Sequence, residues 1–249
     1  MDFDGCTLAT GTGFLRRRGA ELFLITAWHN LSGREPSTLK PMHEQGGVPN
    51  HVRIEGYCFD RRVPLYEDGD PHDDHTCLRL CWQHPNGPAV DVAVLRVPAQ
   101  SGEGWPVDES FFDPNQNEQL PLSVMQHCVV VGFPQNLVDR SQPPHVLPIY
   151  KSAQIASEPS VDFQGKPLVI IDATTRAGMS GSPVFVPAPT YGIRLSANRF
   201  LGVYTGRLRD NPQGEDSALR MVFRPRVITK IFERITPFQE QFEKGFSPK

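Results

Sequence analysis

The stretch GMSGSPVF, residues 178–185, places Gly178, Ser180, Gly181, Ser182 and Pro183 directly before an apolar, strand-like run. Small residues let backbone amides converge on one point, and a serine held there becomes a nucleophile if something activates it. The hydroxyl alone is weak near neutral pH; it needs a base within hydrogen-bond reach and a carboxylate that orients the base. Of the eight histidines, His29 closes the apolar, β-rich run ELFLITAWHN, where a rigid element presents an imidazole at a rim. His43, His51, His72, His75, His127 and His145 fall mostly in polar or proline-rich connections. Asp91 begins DVAVLRV, and an acid flanked by alternating Val and Leu is costly to bury unless it is hydrogen-bonded. An aspartate at a strand start also caps turns, so its position alone leaves two roles open. Ser182 immediately precedes Pro183 and lacks the Gly-x-Ser-Gly context of Ser180, which makes it the weaker nucleophile candidate.

The elements that must hold these residues are short. With 24 prolines and 21 glycines in 249 residues, breakers are frequent, and most segments between them alternate or are β-rich. ELFLITAW, VDVAVLRVP, HCVVVGFP, LVIIDATT, SPVFVP, FLGVYTGRL and LRMVFRP read as strands. RRRGAE fits a hairpin turn with Gly19 at its permissive position. TCLRLCW also reads as a strand, with Leu78, Leu80 and Trp82 on one face and Cys77, Arg79 and Cys81 on the other. That reading argues against a zinc site made from His72, His75, Cys77, Cys81 and His84, whose spacings fit no common finger. In RVITKIFERI, the apolar residues Ile228, Ile231, Phe232 and Ile235 recur on one helical face, and Pro237 stops the run. The expected organisation is a β-barrel over 1–102 with His29 and Asp91, a linker over 103–122, a second barrel over 123–225 with Ser180, and a helix and tail over 226–249.

LITAWHN, DVAVLRV and GMSGSPVF, in that order, resemble the trypsin-like, chymotrypsin-fold serine peptidases, and in particular their disulfide-free bacterial branch. The resemblance runs from about residue 6 to 235. It implies an all-β fold of two six-stranded antiparallel barrels with a C-terminal helix and the site in the cleft between them. It makes Ser180 the nucleophile, His29 the base and then the acid, and Asp91 the group that fixes the His29 tautomer. Gly178 and Ser180 supply the oxyanion-hole amides. The implied reaction is peptide hydrolysis through an acyl-enzyme, without cofactor or metal, on a peptide or protein substrate. A catalytically inactive module that binds a peptide or protein partner is the alternative.

The same resemblance places the pocket for the residue before the cut at Thr174 and Thr175, walled by Tyr204, Thr205, Gly206 and Arg207. No acid lies at its floor to neutralise a lysine or arginine, so cleavage after acidic or polar residues is expected. Where many family members carry an aspartate before the nucleophile, this chain has Met179, so activation by a newly exposed amine is not expected. The formal charge of −3, from 25 basic and 28 acidic residues, gives no reason to expect nucleic acid or an anionic membrane as partner. Five cysteines, an odd number with no CxxC pair, point to a reducing interior. The opening MDFDGCTLATGTGF lacks the features of a secretory signal, and a cytoplasmic location is expected.

Overall fold

Continuous apolar runs such as ELFLIT require burial on both strand faces. In the computed structural model this run is β4 (Glu21–Thr26), where Leu22 and Leu24 enter one core and Phe23 and Ile25 another. The structure describes residues 1–19, 21–56, 59–65, 81–98, 121–137, 139–141, 146–188, 198–208 and 218–235. Before β4 stand β1 (Asp2–Phe3), β2 (Cys6–Thr7) and β3 (Gly13–Arg18). The first helix, α1 (Trp28–Ser32), follows, and then β5 (His51–Gly56), β6 (Phe59–Pro64), β7 (Cys81–Gln83) and β8 (Ala93–Val97). The second half contributes β9 (His127–Gly132), β10 (Ile149–Ile155), β11 (Leu168–Asp172), β12 (Pro183–Val186), β13 (Arg199–Arg207) and β14 (Leu219–Phe223). It ends with the helix α2 (Pro225–Phe232).

The second half closes into a six-stranded antiparallel barrel in the order β10-β11-β14-β13-β12-β9. The first half departs from the expected closed barrel. Among the described residues it forms two four-stranded sheets, β2-β1-β5-β6 and β3-β4-β8-β7. With two residues each, β1 and β2 are too short to carry a ladder that would join the sheets, and β7 adds only three. Side chains join them instead: Leu22, Leu24, Leu95 and Val97 from one sheet share a core with Val52, Ile54 and Val63 from the other. The expected hairpin forms between β3 and β4, with Arg18 paired to Glu21 across the turn. Of the linker, 103–120 lie outside the described residues, as do His72, His75, Cys77, Cys58, His145 and the tail beyond 235.

A second core joins the halves. Phe14, Phe23, Ile25 and Val94 from the first half pack with Leu168, Phe185, Phe200 and Val203 from the barrel, and α2 contributes Val227, Ile228, Ile231 and Phe232. Phe14 meets Phe200 edge-on at 5.7 Å, and Phe23 meets Phe232 at 5.0 Å. The helix ends at Phe232, short of the expected span, yet Ile235 still buries in the same core. The arginine run of β3 holds this end. Arg18 donates to the carbonyls of Phe232 and Ile235 at 3.2 Å, tying down the end of the helix and the turn after it, while Arg16 lies 4.8 Å over the Phe232 ring.

Truncating Phe232 removes the group that meets both Phe23 and Arg16. Phe232→Ala should lower unfolding free energy by about 3–5 kcal/mol. Urea denaturation checks this, and a loss under about 1 kcal/mol would show that α2 is not part of the core.

Candidate active site

Positioning begins with strand register. Thr26 at the end of β4 pairs with Ala93 at the start of β8. His29 lies three residues past the one and Asp91 two before the other, so both arrive at the same end of a strand pair gripped on both faces. The side chains meet. Asp91 accepts the His29 backbone N–H at 2.9 Å through one oxygen and contacts ring Nδ1 at 2.7 Å through the other. This bidentate grip fixes the ring and leaves Nε2 as the ring nitrogen not engaged by Asp91. Asp91 is 6% exposed; burial pushes its carboxyl up from the ordinary value, and the hydrogen bonds from His29 oppose that shift. His29 sits in α1, whose five residues are followed by Gly33, and the Gly33 N–H donates back to the His29 carbonyl at 2.9 Å.

The loop that carries Ser180 depends on two left-handed residues, Gly178 (φ +90°) and Gly181 (φ +92°). A Cβ at Gly178 would lie 2.7 Å from both the Phe133 carbonyl oxygen and the Gln135 nitrogen, and one at Gly181 would overlap the Thr12 carbonyl. The Ala177 carbonyl accepts from the Gln135 N–H at 2.8 Å. In a trans peptide the next N–H points the opposite way, so that contact turns the Gly178 N–H toward the site. Among the described residues, neither the Gly178 N–H nor the Ser180 N–H finds an acceptor. Two amides without partners on one loop are suited to a developing oxyanion.

Ser180 is half-buried, and its Oγ donates to the Thr205 carbonyl at 3.2 Å rather than to His29. Ser182 is 0% exposed and its Oγ has no hydrogen-bond partner among the described residues, so it is shut away from any substrate. Met179 is fully buried in the barrel core beside Val130, Ile155 and Val184, an apolar setting in which an ammonium would find no carboxylate. His84 is also buried; its Nδ1 accepts the Asn86 N–H at 3.1 Å, and burial together with Lys230 and Arg234 holds its pKa below the ordinary value. Cys6, Cys81 and Cys128 are free thiols, and burial pushes Cys81 and Cys128 up to about 12.

The residues assigned to the pocket separate by burial. Thr174 and Arg207 are exposed, whereas Thr175, Tyr204 and Thr205 are buried. A Cβ built on Gly206 would meet only open space, so the strand is accessible there. Thr175 Oγ1 and the Tyr204 hydroxyl are 2.7 Å apart, and Arg220, 3% exposed, donates Nε to Thr175 Oγ1 at 2.9 Å. Burial raises the Tyr204 phenol, against the pull of Thr175, so it stays neutral. Arg220 escaped sequence reasoning, although LRMVF places a charged residue on the core-facing side shared with Val222, a visible break in pattern.

A hydrogen-bond network from the first half grips the loop from behind. Thr12 donates its N–H to the Ser180 carbonyl at 2.8 Å and its Oγ1 to the Gly178 carbonyl at 2.8 Å. Thr12 Oγ1 also accepts the Phe133 N–H at 2.9 Å. Asn30 Nδ2 reaches the Ser180 carbonyl at 2.8 Å and Thr26 Oγ1 at 2.9 Å. Sequence reasoning missed Thr12, Thr26 and Asn30. Asn30 follows His29 directly, but nothing in its type announces a partner in the other half.

The family model for the trypsin-like peptidase domain matches residues 11–188. No curated protein matches the sequence. Among solved structures, the active form of the Rv3671c protease from M. tuberculosis is similar at 18% identity and TM-score 0.46, covering 92% of this chain and 74% of that one. Human heparin binding protein shows 14% identity and TM-score 0.49 over 90% of this chain and 86% of that one. Protease Anisep from Arthrobacter nicotinovorans shows 14% identity and TM-score 0.44 over 91% and 95%.

Removing the Thr12 hydroxyl tests the network. Thr12→Val leaves the Gly178 carbonyl and Phe133 N–H without their side-chain partner and should cost about 1–3 kcal/mol of stability. Denaturant titration measures that loss, and an unchanged midpoint would show that the loop holds itself.

Proposed function

The chain belongs to the trypsin-like peptidase family, a family of serine-type peptidases, and from that premise we propose that it is an endopeptidase using Ser180, His29 and Asp91. The observation that carries the proposal is Asp91 gripping both the backbone and the ring of His29 beside a serine whose loop offers two amides without partners. In the proposed cycle Ser180 Oγ turns from Thr205 to His29 Nε2, gives up its proton there, and attacks the substrate carbonyl. The Gly178 and Ser180 amides stabilise the oxyanion. His29 then protonates the leaving amine, and the acyl group stays on Ser180 until a water activated by His29 releases it. Substrate on the acyl side lies along Thr205–Arg207 as an added strand, with Gly206 leaving room for the close approach. A module that only binds peptides has no use for unpaired amides beside an oriented imidazole, so the inactive reading fits less well.

On the acyl side, the reading includes cleavage after acidic or polar residues and exclusion of Arg and Lys. The hydroxyls of Thr175 and Tyr204 support the first part. That none of Thr174, Thr175, Tyr204, Thr205, Gly206 and Arg207 is an acid able to neutralise a substrate cation supports the second. The free thiols of Cys6, Cys81 and Cys128 suit the cytoplasmic location that belongs to the same proposal. No described helix is long and apolar enough to cross a membrane.

A fluorophosphonate probe tests the chemistry. The intact chain should label without N-terminal trimming, Ser182→Ala should label equally, and Ser180→Ala should not label. Asp91→Asn should lower turnover about 10⁴-fold while the fold persists. Labelling of Ser180→Ala at the parental level would sink the assignment.

A further inference from the structure

A cavity of about 580 Å³ opens directly off His29, Gly178 and Ser180. None of Thr205, Gly206 and Arg207 borders it, so it lies across the nucleophile from the strand that would hold the acyl portion. That is where the residue after the cut must sit. Its outer walls come from the first half: Leu8, Met42 and Pro49 supply apolar surface, and among the described lining residues Glu44 is the one acid and none is a lysine or arginine, while Met1, also on the lining, donates its ammonium to the Ala9 carbonyl at 3.0 Å.

The walls are held in place. The Met42 N–H donates to the Gly33 carbonyl at 2.8 Å, and Pro49 packs so closely on Gly33 that a Cβ there would overlap its ring. Leu8 lies against Gly47, 3.1 Å from where a Cβ would stand. Met42 nevertheless leaves 53% of its surface in water, a flexible apolar side chain at the rim of a cavity in which it has little to cover it. A volume of this size falls within the roughly 300–1,000 Å³ of pockets that enclose small ligands.

We propose that this cavity is a second specificity pocket, and that it selects a large apolar residue, Leu, Met or Phe, immediately after the scissile bond while Glu44 disfavours Asp and Glu. The proposal rests on Ser180 forming an acyl-enzyme. Apolar area removed from water drives the preference, and an anion beside Glu44 meets like charge.

Acyl transfer isolates the pocket. An ester substrate with no residue after the cut loads its acyl group onto Ser180, and amino-acid amides then compete with water. When an amide captures the group, its nitrogen bonds to the acyl carbon, the bond from that carbon to Ser180 Oγ breaks, and the amine proton passes through His29 to Oγ. Capture divided by hydrolysis is measured in one tube, so it does not depend on how much enzyme is active. Leucine, methionine and phenylalanine amides should capture at least about ten times better than glycine or glutamate amide. Met42→Ala, and separately Leu8→Ala, should bring leucine amide down toward glycine amide, and Glu44→Gln should raise glutamate amide; probe labelling confirms that each variant is folded. Equal capture of all amides, or a leucine preference that survives both alanine substitutions, would overturn the proposal. Absence of any ester turnover would instead overturn the acyl-enzyme reading beneath it.

Discussion

The pairing of β4 with β8 is the constraint on which the molecule turns. Each strand puts alternate residues into two cores: Leu22, Leu24 and Leu95 toward the opposing sheet, Phe23, Ile25 and Val94 toward the barrel. A slip of one residue would exchange the two sets and move every side chain to the wrong core, so the register is specified from both sides. The Thr26–Ala93 pair at its end therefore holds His29 and Asp91 to each other with little freedom. The cost of burying Asp91 is met locally, by two donors from a single residue, and no other part of the chain has to supply a charge.

Ser180 is fixed differently. Its loop belongs to the barrel, but Thr12 and Asn30 from the first half hold the carbonyls of Gly178 and Ser180, while the Gly181 N–H donates to the Tyr204 carbonyl at 2.7 Å. Each peptide is thereby aimed: a carbonyl bound on one side presents its amide on the other. The left-handed glycines permit that arrangement, and the hydrogen bonds select it. The shared aromatic core of Phe14, Phe23, Phe185 and Phe200 then keeps the halves from shifting against each other.

His29, Asp91 and Ser180 stood out in the sequence because each is a reactive type in an unusual local setting, and local setting is what a sequence displays. Thr12 and Asn30 are ordinary polar residues whose partners lie 166 and 150 positions away, and no spacing rule connects them. The strand β10 was hard to read because Tyr150, Lys151, Ser152 and Gln154 make most of it polar, with only Ala153 and Ile155 buried. At five residues, α1 is too short to show a helical period. The open first half could not be foreseen either, since whether two sheets join by backbone or by side chains depends on distant registers. Thr174 and Thr175 are adjacent and alike, yet only the fold exposes one and buries the other.

The position of α2 bears on when the molecule becomes whole during synthesis. Val227, Ile228, Ile231 and Phe232 complete a core whose other members come from both halves, and Arg18 of β3 holds the carbonyls of Phe232 and Ile235, more than 200 residues later. A nascent chain on the ribosome can pair β3 with β4 early, but the surface that unites the halves stays unfinished until residue 235 has emerged from the exit tunnel. The cleft therefore sets only once α2 has docked, and a chain cut before α2 presents an exposed apolar seam in place of a finished cleft.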